Sequence, residues 1–447
     1  MSRVTGPTPR FESASDALRR LSSRHSGGAS RRVATLGALT AALLFAGCAS
    51  GSSAPTDGRS RDTAPATEQT PTRPADPALR ASTATPQRPE VAAGTAAPAG
   101  RPVDAAPSPP PNIAAGAISS TIETRSEVLR QPWSFGEAAG SLLSSLNYRI
   151  HTTLADGQLL KDLPTLMEAA LDHYTTALGE LPRPDSGLRS YVFERRSEWA
   201  AYTRRRLPND AETYLAIGRG GYTTEGESVL FNIGREDTFI ISVHEGWHQY
   251  TQTVFTDRLP TWIEEGIACY MEGHRFRRGS ATPTFLPWRN FERFGELRDV
   301  VRSDRLLPLK EMLDGTPQAS LGQGKSSLLG YYAQSWAFIH FLNEGEGGRY
   351  HDGLRQVIAD AAEGRLTRRL MRSDKIPQQA RRPWALSRTA RWIVIEYFNQ
   401  DLDEISAQYE AFVRTITTSG SSNAIWRGES PVGLSGTGLS GTGLSAP

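Results

Sequence analysis

The sequence predicts an α+β domain: a small mixed sheet with an edge strand, followed by a mostly helical half. Two observations carry that reading. Short β-like runs alternate with helical repeats between Tyr148 and Ile233, and from Asp237 to Phe412 helical spacing dominates. A third observation bounds the domain, because the flanks on both sides lose any apolar period.

The elements follow in chain order. Tyr148 to Leu154 ("YRIHTTL") alternates with period two, as a half-buried strand does. Leu159 to Gly179 has helical spacing and stops at glycine. Leu188 to Glu194 ("LRSYVFE") reads as a second strand, and "SEWAAYTRRRL" after it as a second helix. Ala216 to Ile233 is glycine-rich and ends in a β run, the pattern of a hairpin or an edge strand. The segment after Asp237 places Ile240, Val243, Trp247, Tyr250 and Val254 on one helical stripe, with Asp237 or Thr238 available as its cap.

The flanks read differently. Arg31 and Arg32 precede an apolar run from Val33 to Cys48. A membrane-spanning helix needs roughly 20 apolar residues. The run is shorter, so residues 1–48 are expected to be a signal peptide. Its end, "FAGC", resembles a bacterial lipobox with Cys48 as the lipidated residue, although Phe45 stands where Leu is usual. An ordinary secretory signal cleaved between Ala46 and Ala49 is the alternative. The lipobox implies a lipid anchor in the cell envelope. Ala49 is not the Asp that favours inner-membrane retention, so an outer-membrane protein facing the periplasm is expected. With Cys48 lipidated, Cys269 is the one remaining thiol of two cysteines, which excludes an intramolecular disulfide.

Residues 49–118 are rich in Pro, Ala and Thr and cannot bury enough surface to fold, so a disordered tether is expected there. Its reach is roughly 45 Å for a flexible chain of that length. Residues 419–447 carry a five-residue Gly-Leu-Ser-Gly-Thr repeat and read as a low-complexity tail. The folded domain is thus expected over residues 119–418. A net charge of +2 is too small to argue for a nucleic-acid partner.

The chemistry is concentrated in "VHEGWHQYTQTVFTDRLPTWIEEGIACY", Val243 to Tyr270. His244 and His248 are four apart, so on a helix they share a face and can share one Zn²⁺. Glu245 stands beside the first of them, where it can act on water at the metal. A catalytic zinc site needs a third protein ligand, and Glu264 and Glu265 both follow at helical distance. "TWIE" has the form of a capping box, with Thr261 as cap and Glu264 turned back to it. That frees Glu265, about 100° further round the helix, for the metal.

"HEGWHQ…WIEEGIACY" resembles the gluzincin metallopeptidases, in particular the aminopeptidase N-like pattern in which a ligand Glu directly precedes Gly. The resemblance implies a thermolysin/gluzincin-like fold and a peptidase domain over residues 119–418. It implies Zn²⁺ held by His244, His248 and Glu265, Glu245 as general base, and cleavage of peptide bonds by metal-activated water. "GYYAQSWAFIHFL", Gly330 to Leu342, is similar to the gluzincin helix whose leading Tyr stabilises the transition state, and its apolar pattern matches Tyr332 to that role. The glycine-rich run before the metal helix is similar to the strand on which gluzincins lay an extended substrate, but it lacks the exopeptidase motif of aminopeptidase N. The order of these motifs also resembles a family of bacterial envelope proteins with peptidase-like domains of unknown function. The expected partners are a peptide or protein substrate and a membrane reached through the anchor, with the protein a monomer. A catalytically inactive binding or scaffold lipoprotein is the alternative.

Other residues read more plainly. His274 and His340 lie near these motifs, Cys269 follows Glu265 by one turn as small apolar filler, and the Arg-rich run near 367–392 forms a solvated face. No acid stands at an obvious spacing to orient His244 or His248.

Overall fold

In a computed structural model the chain is described over residues 128–432, apart from 219, 279, 281, 316–327 and 382–390. The expected signal peptide with Cys48, the tether and the repeat at 433–447 lie outside the described residues. The strands are β1 (Leu129–Phe135), β2 (Ala138–Ser144), β3 (Tyr148–Thr152), β4 (Leu188–Phe193), β5 (Gly221–Thr224) and β6 (Glu227–Phe231). They form one mixed sheet in the order β1-β2-β3-β4-β6-β5. The pairs β3–β4 and β4–β6 are parallel and the other neighbours antiparallel.

Local chemistry explains most of this. In β3, Tyr148, Ile150 and Thr152 are buried while Arg149 faces solvent, the period-two signal of the sequence. The parallel step to β4 needs a crossover, supplied by helix α1 (Gly157–Thr176). Asp156 caps it, accepting from the backbone N–H of Gln158 and Leu159 at 2.8 and 3.0 Å. Helices α2 (Arg196–Arg206) and α3 (Ala211–Leu215) follow β4. Alternate residues of β4 and β6 serve two cores. Leu188, Val192 and Leu230 pack with α1, whereas Phe193, Val229 and Phe231 pack with Trp199 and Tyr214 of α2 and α3.

The glycine-rich segment is both a hairpin and an edge. Glu225 and Gly226 take positive φ of 52° and 73° between β5 and β6, the two-residue turn that matches strand twist. The other edge, β1–β2, is not visible in the sequence pattern. Pro132 lies inside β1, which only an edge strand tolerates, and "AAGSLLS" of β2 has no β-branched residue.

The helical half comprises α4 (Arg235–Val254), α5 (Thr261–Met271), α6 (Phe291–Arg302), α7 (Leu309–Asp314), α8 (Leu328–Glu344), α9 (His351–Ala362), α10 (Leu366–Arg372), α11 (Arg391–Tyr397), α12 (Leu402–Ile416) and α13 (Ser421–Arg427). A short hairpin, β7 (His274–Phe276) with β8 (Pro283–Phe285), interrupts it. Helix α8 is buried on every side from Leu328 to Leu342 and forms the centre of this half. Helix α13 corrects the expectation of an unfolded tail from residue 419. Ala424 and Ile425 are buried, and the Trp426 ring packs tilted against Phe291 with centroids 5.3 Å apart. So short a segment, flanked by Ser and Gly, shows no apolar period to read. Among the described residues no helix is long and apolar enough to cross a membrane.

Candidate metal centre

The first histidine helix, α4, is held from three sides. Its cap is Gly234, ahead of both Asp237 and Thr238, because Thr238 lies in the first turn and its hydroxyl accepts from the Ile233 N–H instead. Gln249 donates to the backbone carbonyls of Arg189 and Gly226, and Gln252 accepts from the Gly226 N–H. The β5–β6 turn is thereby pinned to α4. Thr223 of the edge strand donates to the Glu245 carbonyl at 3.0 Å, and Tyr174 of α1 donates to that of Val243 at 2.6 Å. Gly246 is required by this packing, since a Cβ there would stand 2.6 Å from the Tyr174 hydroxyl oxygen. The stripe read from the sequence is buried at Val243, Trp247 and Tyr250, but so is the opposite face with His244, Glu245 and His248.

Helix α5 brings in the acid. It packs on α8 at Gly266, where a Cβ would meet the Ser335 carbonyl oxygen at 2.7 Å. The glycine after Glu265 thus lets two backbones close up and pushes Glu265 toward α4. The structure brings His244, His248 and Glu265 together. The two Nε2 atoms are 3.2 Å apart, and Glu265 Oε2 lies 3.6 and 3.5 Å from them. Two ligand bonds of about 2.05 Å at a tetrahedral angle put their donor atoms about 3.3 Å apart. The triangle therefore has the size of one face of a metal tetrahedron. Glu265 Oε2 is buried without a hydrogen-bond partner, an orphan that a cation would satisfy. Two imidazoles and a carboxylate, all buried, could hold a metal ion.

Both imidazoles are held from behind. Nδ1–H of His244 donates to Glu272 Oε1 at 2.8 Å, and Nδ1–H of His248 donates to Glu264 Oε1 at 3.0 Å. Each Nε2 lone pair is then left facing the shared point. Glu264 therefore does not close a capping box. Helix α5 is capped by Pro260 with no side-chain bond, Thr261 is already inside the helix, and Glu264 accepts from His248 and Thr251. The sequence reading missed both supporting acids. One signal was present: Glu272 stands seven residues after Glu265, two helical turns on and on the same face. Glu264 meets the later turn of α4 and Glu272 the earlier one because the two helices run in opposite directions.

Residues 239–363 match the family described as a protein of unknown function, DUF1570. The matched segment begins in α4 and ends just past α9, so it contains the two histidines, Glu245, Glu264, Glu265, Glu272 and Tyr332, but none of the six-stranded sheet. No curated protein matches the chain.

Charge in this segment is strongly organised. Burial disfavours the Glu265 carboxylate, but His248 and His244 outweigh it and hold its pKa down to about 2. Glu272 is likewise held at about 2, against burial, by Arg293 and His244. Burial also works against a charged His248, yet Glu265 and Glu264 raise its pKa well above the ordinary value, and Glu265 and Glu272 raise that of His244. Glu245 is the exception. Burial pushes its pKa up, against the two histidines and the Thr223 hydroxyl.

Tyr332 lies on α8, fully buried. Burial first, then the charges of Glu265 and Cys269, push its phenol well above 10, so it stays a proton donor at neutral pH. Tyr331 beside it reaches toward the Met312 carbonyl at 3.5 Å. A second group of possible ligands is His244, Cys269 and Glu272. Glu272 there is already engaged by His244, Asn290 and Arg293, which makes it a support rather than a ligand. Cys269 is buried with its thiol pKa pushed up by burial, as packing filler would be. His340 is a core residue stacked on Trp288 at 3.7 Å, and His274 bonds the Glu272 carbonyl from β7. Neither reaches the triangle of ligand atoms.

Proposed function

We propose that this chain is a zinc-dependent peptidase of the gluzincin type, held in the bacterial cell envelope by lipid at Cys48. The observation that carries the reading is Glu245. A carboxylate buried this completely is costly to keep, and this one adjoins three possible ligand atoms spaced for one metal ion. His244, His248 and Glu265 would hold Zn²⁺, which when bound supplies a Lewis acid for the peptide carbonyl and lowers the pKa of water.

The chain's own groups do the rest. Glu245, with its raised pKa, accepts a proton from the attacking water and returns it to the leaving amine. Tyr332, a phenol at neutral pH, donates to the oxygen that gains charge as the carbonyl carbon becomes tetrahedral. Glu272 and Glu264 keep both imidazoles in the tautomer that offers Nε2. Edge strand β5, one hydrogen bond away from Glu245, supports an extended peptide or protein substrate.

The test is metal analysis of the full chain with a peptide-library assay. Wild type should carry about one zinc and cleave, whereas Glu245→Gln should keep the zinc and cleave nothing. Normally folded protein that takes up no zinc sinks the reading. The burial of the ligand set, at most 4 % exposed, favours a second reading, an inactive metal-bearing scaffold. In that case zinc-loaded wild type and Glu245→Gln are equally inert.

A further inference from the structure

Arg293 is a fully buried guanidinium in the first turn of α6. A charge of that kind taken out of water is destabilising unless paired, and its placement here is specific. Its Nη2 donates to Glu272 Oε1 at 3.1 Å, the same oxygen that accepts from His244. The guanidinium carbon also sits 5.7 Å from the centre of the Tyr332 ring. Asn290 fixes the turn that carries it: its Oδ1 accepts from the Arg293 N–H, and its Nδ2 donates to Glu272 Oε2 at 2.6 Å and to the Cys269 carbonyl. Glu272 caps the C-terminus of α5. One continuous chain of contacts thus runs from His244 on α4, through the end of α5, into α6 and across to Tyr332 on α8.

We propose that Arg293 is a positioning residue for the metal centre: by gripping Glu272 it fixes the His244 ring and so sets how tightly the site takes metal. The inference rests on His244, His248 and Glu265 being the metal ligands, not on the reaction. Both of Glu272's oxygens are occupied, so its geometry is over-determined from the α6 side. Without Arg293 the oxygen facing His244 has one donor fewer, and Asn290 alone holds the carboxylate from the α6 side, which loosens its hold on Nδ1. The anchor that aims Nε2 is then weakened.

The experiment measures zinc dissociation constants of the full chain by competition with a chromophoric chelator. It is run with the visible spectrum of the cobalt-substituted protein and a melting curve of the metal-free state. Arg293→Met should bind zinc 10–100-fold more weakly, the range expected for an outer support of a ligand histidine. Its cobalt spectrum should shift, and Arg293→Lys should recover part of both. Glu272→Gln should weaken binding similarly, and the double variant should be no weaker than the weaker single one, because both act through one contact. A folded Arg293→Met with wild-type zinc affinity and cobalt spectrum overturns the proposal, as does a double variant that loses the full product of both effects. If Arg293→Met does not fold, Arg293→Lys against Glu272→Gln decides by the same criteria. Wild type that takes up no zinc overturns the ligand assignment and this inference together. Zinc-loaded wild type that cleaves nothing overturns the peptidase reading and leaves Arg293 to be judged on affinity.

Discussion

Glu264 accepts a hydrogen bond from Nδ1 of His248 at 3.0 Å and another from the Thr251 hydroxyl at 2.6 Å. It is the neighbour of Glu265, yet the two acids do different work: one faces the back of an imidazole, the other the front. Glu264→Ala should therefore weaken metal binding about 10–100-fold without abolishing it. Glu265→Ala, which removes one of the three proposed ligand atoms, should weaken it further. Zinc titrations of the two variants rank them, and equal affinities would contradict the assignment.

The pH dependence of the metal-free fold follows from the same charges. His248 and His244 have raised pKa values, so their contribution to stability is fully present below the unfolded value of 6.5 and is lost as pH rises through the folded values. Glu265 and Glu272 are depressed to about 2, so theirs is present above the unfolded value of 4.5 and is lost as pH falls toward 2. The stabilisation contributed by these four groups together is therefore greatest between about 4.5 and 6.5. Zinc must displace the imidazole protons, so zinc affinity should rise with pH above that window and binding should release protons. Melting curves with and without zinc, and calorimetry in buffers of different ionisation enthalpy, check both trends.

Gly266 is a packing requirement that reaches the site. An added Cβ would lie 2.7 Å from the Ser335 carbonyl oxygen and 2.8 Å from Ile339 Cγ1. Gly266→Ala should cost about 1–3 kcal/mol of stability through overpacking. Because the displaced helix carries Glu265, zinc affinity should fall with it. A thermal melt with parallel zinc titration tests the pairing, and unchanged melting would show that α8 yields freely.

Tyr332 separates binding from chemistry. On the peptidase reading, Tyr332→Phe removes one donor to the developing oxyanion and should lower kcat about 10²–10³-fold while leaving zinc affinity unchanged. Tyr331→Phe, whose hydroxyl reaches toward the Met312 carbonyl, should affect stability and not kcat. Steady-state kinetics on zinc-loaded variants distinguish the two, and the opposite pattern would exchange their roles.

Local spacing was enough to order most elements from β3 onward and to place the helix that carries both histidines. The period-two run of β3, the helical spacing of α1 and the i, i+4 histidines are properties of a few adjacent residues, and the fold leaves them intact. Where the chain offered a local rule and a long-range partner for the same side chain, the partner won: Glu264 gave up the capping box for His248 and Thr251. The supporting acids, the grip of Arg293 on Glu272 and the β1–β2 hairpin were decided by tertiary structure alone. The reason is physical. Which carboxylate meets which imidazole depends on two helices running in opposite directions and closing at Gly246 and Gly266, and no pattern within either helix contains that register.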